Sequence, residues 1–306
     1  MEARLRAKPE TRFREALASE PLGRYAFRRL VRDAGQALRE AGVISPEHDA
    51  RVLAEHVVGG PLVMCDGATA QQVETFLSLI ERRAARVPLQ HFLGRMWFRG
   101  LELECRPGVF IVRPETEIVA GAAIDAARVA AAGQDHGVRV VDLCTGSGAI
   151  AAAVAHEVPA ARVWAVEVNP AAVALARDNC ERLVPGRVTV LAGDATAPET
   201  LAELDGRVDV VVANPPYVPA GAVEDAETQR HDPHLALYGG GEDGLTMPRA
   251  IVERAAALLR PGGVLVMEHD PAQAAALREA ALATGFASAQ TGDDLTGRGR
   301  YLRAEH

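Results

Sequence analysis

An apolar segment at 138–143 runs directly into a turn of small residues, which an alanine-rich stretch follows. The turn contains Gly146 and Gly148, and glycine lets a backbone turn tightly and approach a ligand closely. A helix that starts after such a turn offers free N–H groups at its first residues. The segment therefore predicts a buried strand, a ligand-binding loop and a helix, as in an α/β fold built on a mostly parallel sheet.

Three further apolar segments also end in polar residues. They are 162–167 with Glu167, 187–191 with Asp194 shortly after it, and 208–213 with the Asn-Pro-Pro-Tyr turn at 214–217. Open α/β sheets bind their ligands at the carboxyl ends of parallel strands. We therefore expect these polar residues to lie around one site.

The glycine turn has two interpretations. Gly146, Gly148 and Ala151 match the G-x-G-x-x-A pattern of dinucleotide sites. Asp142 favours S-adenosylmethionine instead, because a carboxylate at the strand end suits a cationic amino group and repels a pyrophosphate. Glu167 suits the ribose hydroxyls of either cofactor, or it simply caps the next helix, so it does not decide between them.

The turn at 214–217 carries the clearest chemical signal. Pro215 and Pro216 fix the backbone and lack N–H groups, so the chain leaves the sheet stiffly and presents carbonyl oxygens. The Asn214 side chain can accept a hydrogen bond from a planar –NH2 group, and the Tyr217 ring can pack on its face. The motif is typical of an N-methyltransferase, although a strand-ending turn with a buried tyrosine would also explain it.

Several motifs in order along the chain carry a family resemblance. They are 142–148, Glu167, Asp194, 214–217, and the flanking segments 88–94, 98–100, 108–117, 231–240 and 243–245. In these segments the chain resembles the peptide chain release factor N5-glutamine methyltransferases, the HemK/PrmC family, from about residue 25 to its C-terminus. The resemblance implies a class I S-adenosylmethionine-dependent methyltransferase with a Rossmann-like, mostly parallel seven-stranded sheet and a small N-terminal helical domain.

The resemblance also implies an activity and a partner. Members of this family transfer a methyl group from S-adenosylmethionine to the side-chain nitrogen of the glutamine in the Gly-Gly-Gln motif of class I release factors. We therefore expect a cytoplasmic enzyme with a release factor as its partner, no membrane association, no direct nucleic-acid substrate and no metal. The Asn-Pro-Pro-Tyr motif also occurs in DNA adenine methyltransferases, so it fixes the chemistry better than the substrate.

Site residues are carried over position by position. The catalytic residues would be Asn214, Pro215 and Tyr217, and the substrate would contact Asn214, Pro215, Pro216 and Tyr217. The cofactor would contact Asp142, Cys144, Thr145, Gly146, Ser147, Gly148, Glu167, Asp194, Ala195 and Asn214. Three positions depart from the family pattern: Cys144 stands where many members have glycine, Glu167 where many have aspartate, and Ala195 where some have an aromatic residue beside the adenine.

Periodicity, together with what the resemblance implies, divides the chain into four parts. We predict an N-terminal extension at 1–24, a helical substrate-recognition domain at 25–92, a β-hairpin linker at 93–113 that turns at 106–108, and the catalytic domain at 114–306. The segment 218–247 shows no clear periodicity. Connections of that length tend to be lids or binding loops.

Net charge, cysteine spacing and the lengths of apolar runs argue against several other classes. The formal net charge of −8 argues against a broad nucleic-acid surface. Cys65, Cys105, Cys144 and Cys180 are widely spaced and form neither a metal motif nor a disulfide framework. No apolar run is long enough to span a membrane, and no signal-peptide pattern opens the chain. The arginines between Arg4 and Arg39 form either a local basic patch or an ordinary solvated surface.

Alternatives stay open at this point. A ribosomal-protein glutamine methyltransferase would share nearly every motif, adenine N6-methylation would use the same turn, and a cofactor-binding fold could act as a non-catalytic interaction module. Glu224, Glu227, His231, Asp232 and His234 lie on the long connection, but their spacing is poor for zinc. His231 is disfavoured as a base, because a carboxamide nitrogen can lose its proton after the methyl transfer.

Overall fold

The computed structural model describes residues 21–132, 137–222 and 225–306. The chain divides into two units, with the boundary between Gly94 and Arg95. Most of the predicted N-terminal extension, the arginines at 4–14 and Glu224 lie outside the described residues. No helix in the described ranges is long and apolar enough to cross a membrane.

The first unit is helical. Its elements are β1 (Leu22–Gly23), α1 (Arg24–Glu40), α2 (Pro46–Val58), β2 (Gly67–Ala68), α3 (Ala70–Ala84) and α4 (Leu89–Leu93). Phe27 and Phe76 meet edge to face in its core, with ring centroids 5.8 Å apart. Thr69 and Gln72 form a capping box that starts α3. Pro46 occupies the first turn of α2, and the Ser45 side chain makes no capping hydrogen bond there.

The second unit opens with a hairpin of β3 (Arg95–Phe98) and β4 (Leu101–Glu104). The chain turns at Arg99 and Gly100, whose φ values are +47° and +77°. The predicted turn at 106–108 is therefore wrong. Two successive residues with positive φ give the short turn whose twist matches that of the strands, whereas Pro107 has no N–H to donate to a ladder.

The remaining elements build one α/β layer structure. They are α5 (Thr116–Ala131), β5 (Val138–Leu143), α6 (Ala149–Glu157), β6 (Ala161–Glu167), α7 (Pro170–Leu183), β7 (Val188–Ala192), β8 (Val208–Ala213), α8 (Ala226–His231), α9 (His234–Leu237), α10 (Thr246–Leu258), β9 (Leu259–Glu268), α11 (Ala274–Thr284), β10 (Ser288–Asp293) and β11 (Gly299–Glu305).

The predicted sheet is confirmed. Seven strands lie in the order β10-β11-β9-β8-β5-β6-β7. The five strands from β9 to β7 pair in parallel, and β10 and β11 add an antiparallel edge. Two large apolar clusters and a small third one lie in the described part of this unit, and α6 contributes its alanines to one of the large ones. Because alanine is small, α6 packs closely on the sheet and places the loop before it at the edge where the parallel strands end.

The connection at 218–247 contains two short helices that the sequence pattern did not show. α8 has six residues and α9 has four. Neither completes two turns, so neither develops the 3.6-residue repeat by which a helix is found in a sequence. Both follow the 214–217 turn in the chain, and residues of both line the cavity described below.

Candidate active site

The loop at 142–148 is shaped by three residues with left-handed backbones. The φ values of Cys144, Gly146 and Gly148 are +64°, +58° and +81°. A Cβ on Gly148 would lie 3.1 Å from the Cys180 Sγ and 3.2 Å from the Ala176 Cα. The loop therefore needs glycine at Gly148 for both its conformation and its close packing on α7. Cys144 adopts a conformation that glycine prefers, which explains why glycine suits this position.

Asp142 holds this loop in place from the interior. Its side chain is fully buried, and its Oδ2 accepts hydrogen bonds from the Thr145 hydroxyl at 2.5 Å and from the Ala151 N–H at 3.1 Å. Burial raises the pKa of Asp142 to about 7, against these hydrogen bonds, which lower it. Asp142 thus ties the end of β5 to the first turn of α6.

Glu167 fixes the adjacent loop. Its Oε2 accepts a hydrogen bond from the Gly146 N–H at 2.8 Å. Its Oε1 accepts hydrogen bonds from the N–H groups of Val168 and Asn169, at 2.9 and 2.8 Å. A carboxylate has about four lone-pair sites, so one remains on Oε2 for a further donor. The cap of α7 is Asn169, whose Oδ1 accepts a hydrogen bond from the Ala171 N–H, so the predicted helix-capping role of Glu167 is wrong. Glu167 instead orders the turn before the helix and keeps an acceptor site for a ligand.

A cavity of about 420 Å³ lies at the carboxyl ends of the parallel strands. Seven residues of the predicted site line this cavity: Cys144, Gly146, Glu167, Asn214, Pro215, Pro216 and Tyr217. These residues come from the ends of β5, β6 and β8, the edge at which open α/β sheets bind their ligands. Arg113, Glu115 and Arg300 add charged groups to the wall, and Phe110 adds an aromatic ring.

The other predicted cofactor residues lie off this wall. They are Asp142, Thr145, Ser147, Gly148, Asp194 and Ala195. Asp194 is exposed and accepts hydrogen bonds from the Thr196 N–H and hydroxyl, while Ala195 is buried in one of the apolar clusters. The Ser147 carbonyl accepts a hydrogen bond from the Asn179 side chain at 3.0 Å. Cofactor contact by these six residues stays a prediction, whereas Asp142, Thr145, Ser147 and Gly148 have a structural role in the loop.

The Asn214 side chain is held by a buried hydroxyl. Its Nδ2 donates a hydrogen bond to the Thr116 Oγ1, at 3.3 Å, and Thr116 has no exposed surface. Since the amide nitrogen is turned toward Thr116, the Oδ1 is the atom left for a ligand in the cavity. Pro215 and Pro216 are buried beside it.

Tyr217 is anchored at both its ring and its backbone. Its hydroxyl donates a hydrogen bond to the Glu268 Oε1 at 3.2 Å, and its carbonyl accepts one from the Gln273 Nε2 at 2.8 Å. Burial, followed by the neighbouring charge of Glu268, raises the pKa of the Tyr217 hydroxyl. Tyr217 is therefore a neutral ring held in a fixed position.

Two glycines support the same turn from behind. A Cβ on Gly239 would lie 2.8 Å from the Pro216 carbonyl oxygen, and a Cβ on Gly244 would lie 2.3 Å from the Tyr217 carbonyl oxygen. A short parallel bridge also pairs Val218 with Tyr238. The segments 231–240 and 243–245, which carried part of the family resemblance, thus pack directly on the 214–217 turn.

Sequence reasoning missed three site residues. Glu268 ends β9 as Glu167 ends β6, so the strand-end argument applied to β9 would have found it. Thr116 lies inside the segment 108–117 that carries part of the resemblance, but nothing singled it out. Arg300 comes from the antiparallel edge strand β11, and its approach to Glu115 (3.9 Å) and Asp294 (3.3 Å) had no signal in the sequence.

The site shows no built metal centre. Within 21–132, 137–222 and 225–306, no group of three His, Cys, Asp or Glu side chains is arranged to hold a metal ion. Asp232, one of the residues considered for zinc, instead forms an ion pair with Arg113. Thr228 accepts a second hydrogen bond from the same guanidinium at 3.1 Å. This pair connects α8 to the segment before α5, along one side of the cavity.

The sheet order, the glycine loop and the cavity at the strand ends define a class I methyltransferase. Residues 101–231 match the methyltransferase small domain, and residues 29–94 match the PrmC N-terminal domain. A methyltransferase structure from Pyrococcus furiosus has the same fold, with a TM-score of 0.50 and 19% identity over 74% of this chain and 98% of that one.

Curated relatives identify the family within that class. A release factor glutamine methyltransferase from Bifidobacterium longum is 46% identical, with 90% of this chain and 98% of the relative covered. Proteins of the same name from Mycolicibacterium smegmatis and Deinococcus radiodurans are 44% and 40% identical, each with 91% of this chain and at least 97% of the relative covered. The chain belongs to the release factor glutamine methyltransferase family.

Proposed function

We propose that this protein transfers a methyl group from S-adenosylmethionine to the side-chain amide nitrogen of the glutamine in the Gly-Gly-Gln motif of a class I peptide chain release factor. The observation that carries the proposal is the Asn214 amide, which Thr116 orients with its oxygen available to the cavity. The names of the relatives supply the class of substrate.

The residues present fit the methyl donor. The cavity volume of about 420 Å³ lies in the range of small-molecule sites. Gly146 leaves room for a close approach to the loop, and Glu167 retains an acceptor site for a ribose hydroxyl. Asp142 lies off the cavity wall and would support the donor indirectly, through the loop that it holds. When bound, S-adenosylmethionine supplies an electrophilic methyl group on a sulfonium centre.

The chain's own residues act mainly by holding the acceptor. A carboxamide nitrogen is a weak nucleophile, because its lone pair is delocalised into the carbonyl group. The Asn214 Oδ1 and the Pro215 carbonyl would each accept a hydrogen bond from one of its two N–H groups. These acceptors favour the positive charge that develops on the nitrogen, and they direct its lone pair. Orientation of this kind accounts for about 7–11 kcal/mol of barrier reduction in well-aligned intramolecular reactions.

No protein base is required at the nitrogen, which can shed a proton after it has gained the methyl group. The nearby hydroxyl and thiol are unsuited to that role, because burial raises the pKa of both Tyr217 and Cys144. Tyr217 would pack on the amide plane of the glutamine instead. The buried prolines at 215 and 216 would exclude water from the same side.

The partner and the setting follow from this activity. A release factor would present its Gly-Gly-Gln loop to the cavity, and translation termination would place the enzyme in the cytoplasm. Nucleic acid would not be a direct substrate, in keeping with the net charge of −8.

The test is methyl transfer from labelled S-adenosylmethionine to a purified class I release factor. A Gly-Gly-Ala variant of the factor and duplex DNA serve as parallel acceptors. We expect label on the wild-type factor alone. Label on the Gly-Gly-Ala variant would contradict the assigned residue, label on DNA would support adenine methylation, and tight donor binding without transfer would support a non-catalytic role.

A further inference from the structure

A buried polar network lies behind the 214–217 turn. Thr116 is the first residue of α5, and Glu268 is the last residue of β9. Their exposed fractions are 0% and 1%. Asn214 joins the network through Thr116, and Tyr217 joins it through Glu268. Each chemical group of the turn therefore contacts one of two fully buried polar side chains.

Donor and acceptor roles in this network are limited by the hydroxyl. A threonine hydroxyl has one proton and two acceptor sites. Because Thr116 accepts a hydrogen bond from the Asn214 Nδ2, its own proton is available to a different acceptor. The neighbouring acceptor is Glu268: its Oε1 accepts a hydrogen bond from the Tyr217 hydroxyl, and its buried Oε2 makes no hydrogen bond within the described residues. The Thr116 hydroxyl lies close enough to this carboxyl to oppose the rise in its pKa that burial causes. When Glu268 is ionised it can only accept, so Thr116 is then the donor toward Glu268 and the acceptor toward Asn214.

The reversed orientation of the Asn214 amide would prevent it from binding the acceptor nitrogen. If the Asn214 amide turned over, its Oδ1 would accept from Thr116 and its –NH2 would face the cavity. The –NH2 of a glutamine substrate would then meet another –NH2, and two donors cannot hydrogen-bond with each other. Orientation of the Asn214 amide therefore decides whether the turn attracts or repels the acceptor nitrogen.

The charge of the network is balanced in part by Arg300. Its side chain is 14% exposed, and its guanidinium lies 3.3 Å from Asp294 and 3.9 Å from Glu115. Its positive charge also favours the ionised form of Glu268. If the Glu268 carboxylate is removed, the buried hydroxyl that donates to it is left without an acceptor. An unsatisfied buried donor costs more free energy of folding than the loss of an exposed hydrogen bond.

We propose that Glu268 is a positioning residue, which acts through Thr116 to fix the Asn214 amide with its oxygen toward the acceptor and acts directly on Tyr217 to hold its ring. The inference rests on the function proposed above for the 214–217 turn, but the orientation itself can be measured without any methyl transfer.

The chain offers a direct probe of this orientation, because it contains three asparagines, Asn169, Asn179 and Asn214. Selective ¹⁵N labelling of asparagine side chains gives three –NH2 signals, and Asn214→Asp identifies one of them by its loss. The Asn169 and Asn179 side chains donate to backbone carbonyls elsewhere, at 3.0–3.3 Å, and serve as internal references. Hydrogen exchange of each signal then reports its own hydrogen bond.

Thr116→Val removes the acceptor, and Thr116→Ser restores it. In Thr116→Val we expect exchange at Asn214 to accelerate about tenfold, while the two reference signals stay unchanged. Thr116→Ser should recover slow exchange, and Glu268→Gln should accelerate exchange at Asn214 although it leaves Thr116 in place. Asp209→Asn is the matched control: it removes another buried carboxylate, paired with Arg260 at 2.7 Å at the start of β8, and should leave Asn214 unaffected.

Kinetics supply the second readout. In Thr116→Val and Glu268→Gln we expect kcat to fall about tenfold, with KM for the methyl donor unchanged, because the defect lies in the acceptor geometry. Thr116→Ser should recover kcat. A merely structural role would lower the folded fraction of every variant, Asp209→Asn included, and would not separate valine from serine.

Exchange and kcat at wild-type values in Thr116→Val or Glu268→Gln would overturn the inference. If the wild-type protein methylates no release factor, the proposed function fails by itself, and the exchange measurement still decides whether Glu268 and Thr116 orient Asn214. If Thr116→Val does not fold, exchange will accelerate at all three asparagine side chains together. The comparison of Glu268→Gln with Thr116→Ser then decides the question.

Discussion

Gly244 lies directly against the carbonyl of Tyr217, so closely that a Cβ on Gly244 would come within 2.3 Å of that oxygen. Its φ of +71° is also one that residues with a side chain rarely adopt. The Gln273 side chain connects the two segments, because its Nε2 donates hydrogen bonds to the carbonyls of Tyr217 and Asp243 at 2.8 and 2.9 Å. The long connection after the turn is thus part of the support of the site as well as a wall of the cavity.

Gly244→Ala should therefore cost more stability than its backbone conformation alone explains. Gly186→Ala is the matched control, because Gly186 has a φ of +69° and a Cβ added there would meet no atom within 4 Å. We expect about 1 kcal/mol of lost unfolding free energy in the control and about 1–3 kcal/mol more in Gly244→Ala, by urea denaturation. Equal losses would show that contact with Tyr217 contributes nothing.

Asn214→Ala should abolish turnover and spare donor binding. The substitution removes one acceptor of the substrate –NH2, and loss of a comparable transition-state hydrogen bond lowers kcat by about 100-fold or more. Isothermal titration with S-adenosylmethionine should give a Kd close to wild type, since the ribose and methionine contacts would lie elsewhere. Complete loss of donor binding in a folded variant would contradict the role assigned to Asn214.

Cys144 should behave as a small loop residue and not as a nucleophile. Because burial raises the pKa of its thiol, followed by the charges of Glu167 and Asp142, the reactive thiolate is suppressed. Cys144→Ala should keep methyl transfer near the wild-type rate in the labelled-donor assay. At a φ of +64°, Cys144→Gly should be about 1 kcal/mol more stable than Cys144→Ala, the reverse of the usual order. Loss of activity in Cys144→Ala would contradict this view.

Glu268→Gln should make the free energy of unfolding less dependent on pH. Burial raises the pKa of Glu268 from 4.5 to about 7 in the folded state. Its stabilising contribution is fully present below about pH 4.5 and is lost as the pH rises through about 7, because only the unfolded chain releases the proton in between. The shift corresponds to about 3 kcal/mol.

Urea denaturation at about pH 5 and at about pH 8 compares the two proteins. We expect wild type to lose unfolding free energy relative to Glu268→Gln as the pH rises. The part due to Asp142, whose pKa burial also raises to about 7, remains in both proteins. An identical difference between wild type and variant at both pH values would show that Glu268 is not protonated preferentially in the folded state.

The parallel sheet could be predicted because its strands are continuous apolar runs and their helices are regular. The edge at which Glu167 and the 214–217 turn meet follows from the same reasoning, since parallel strands end on one side. The hairpin turn was misplaced because proline and glycine at 107 and 108 gave a stronger turn signal than Arg99 and Gly100. The helices α8 and α9 were missed because they are too short to show a period.

The sequence by itself determined the class of fold, the family and the chemical groups of the site. These follow from local rules: apolar runs, glycines that permit tight turns, and an asparagine followed by two prolines. Tertiary structure alone decided how the Asn214 amide is oriented, because its partner Thr116 lies 98 positions away in the chain. It also decided that Asp142 faces the interior, that Glu268 is buried beside Tyr217, and that Arg300 lies on the wall of the cavity. A hydrogen bond depends on distance and direction in space, and no local pattern in a sequence records which distant side chain supplies the partner.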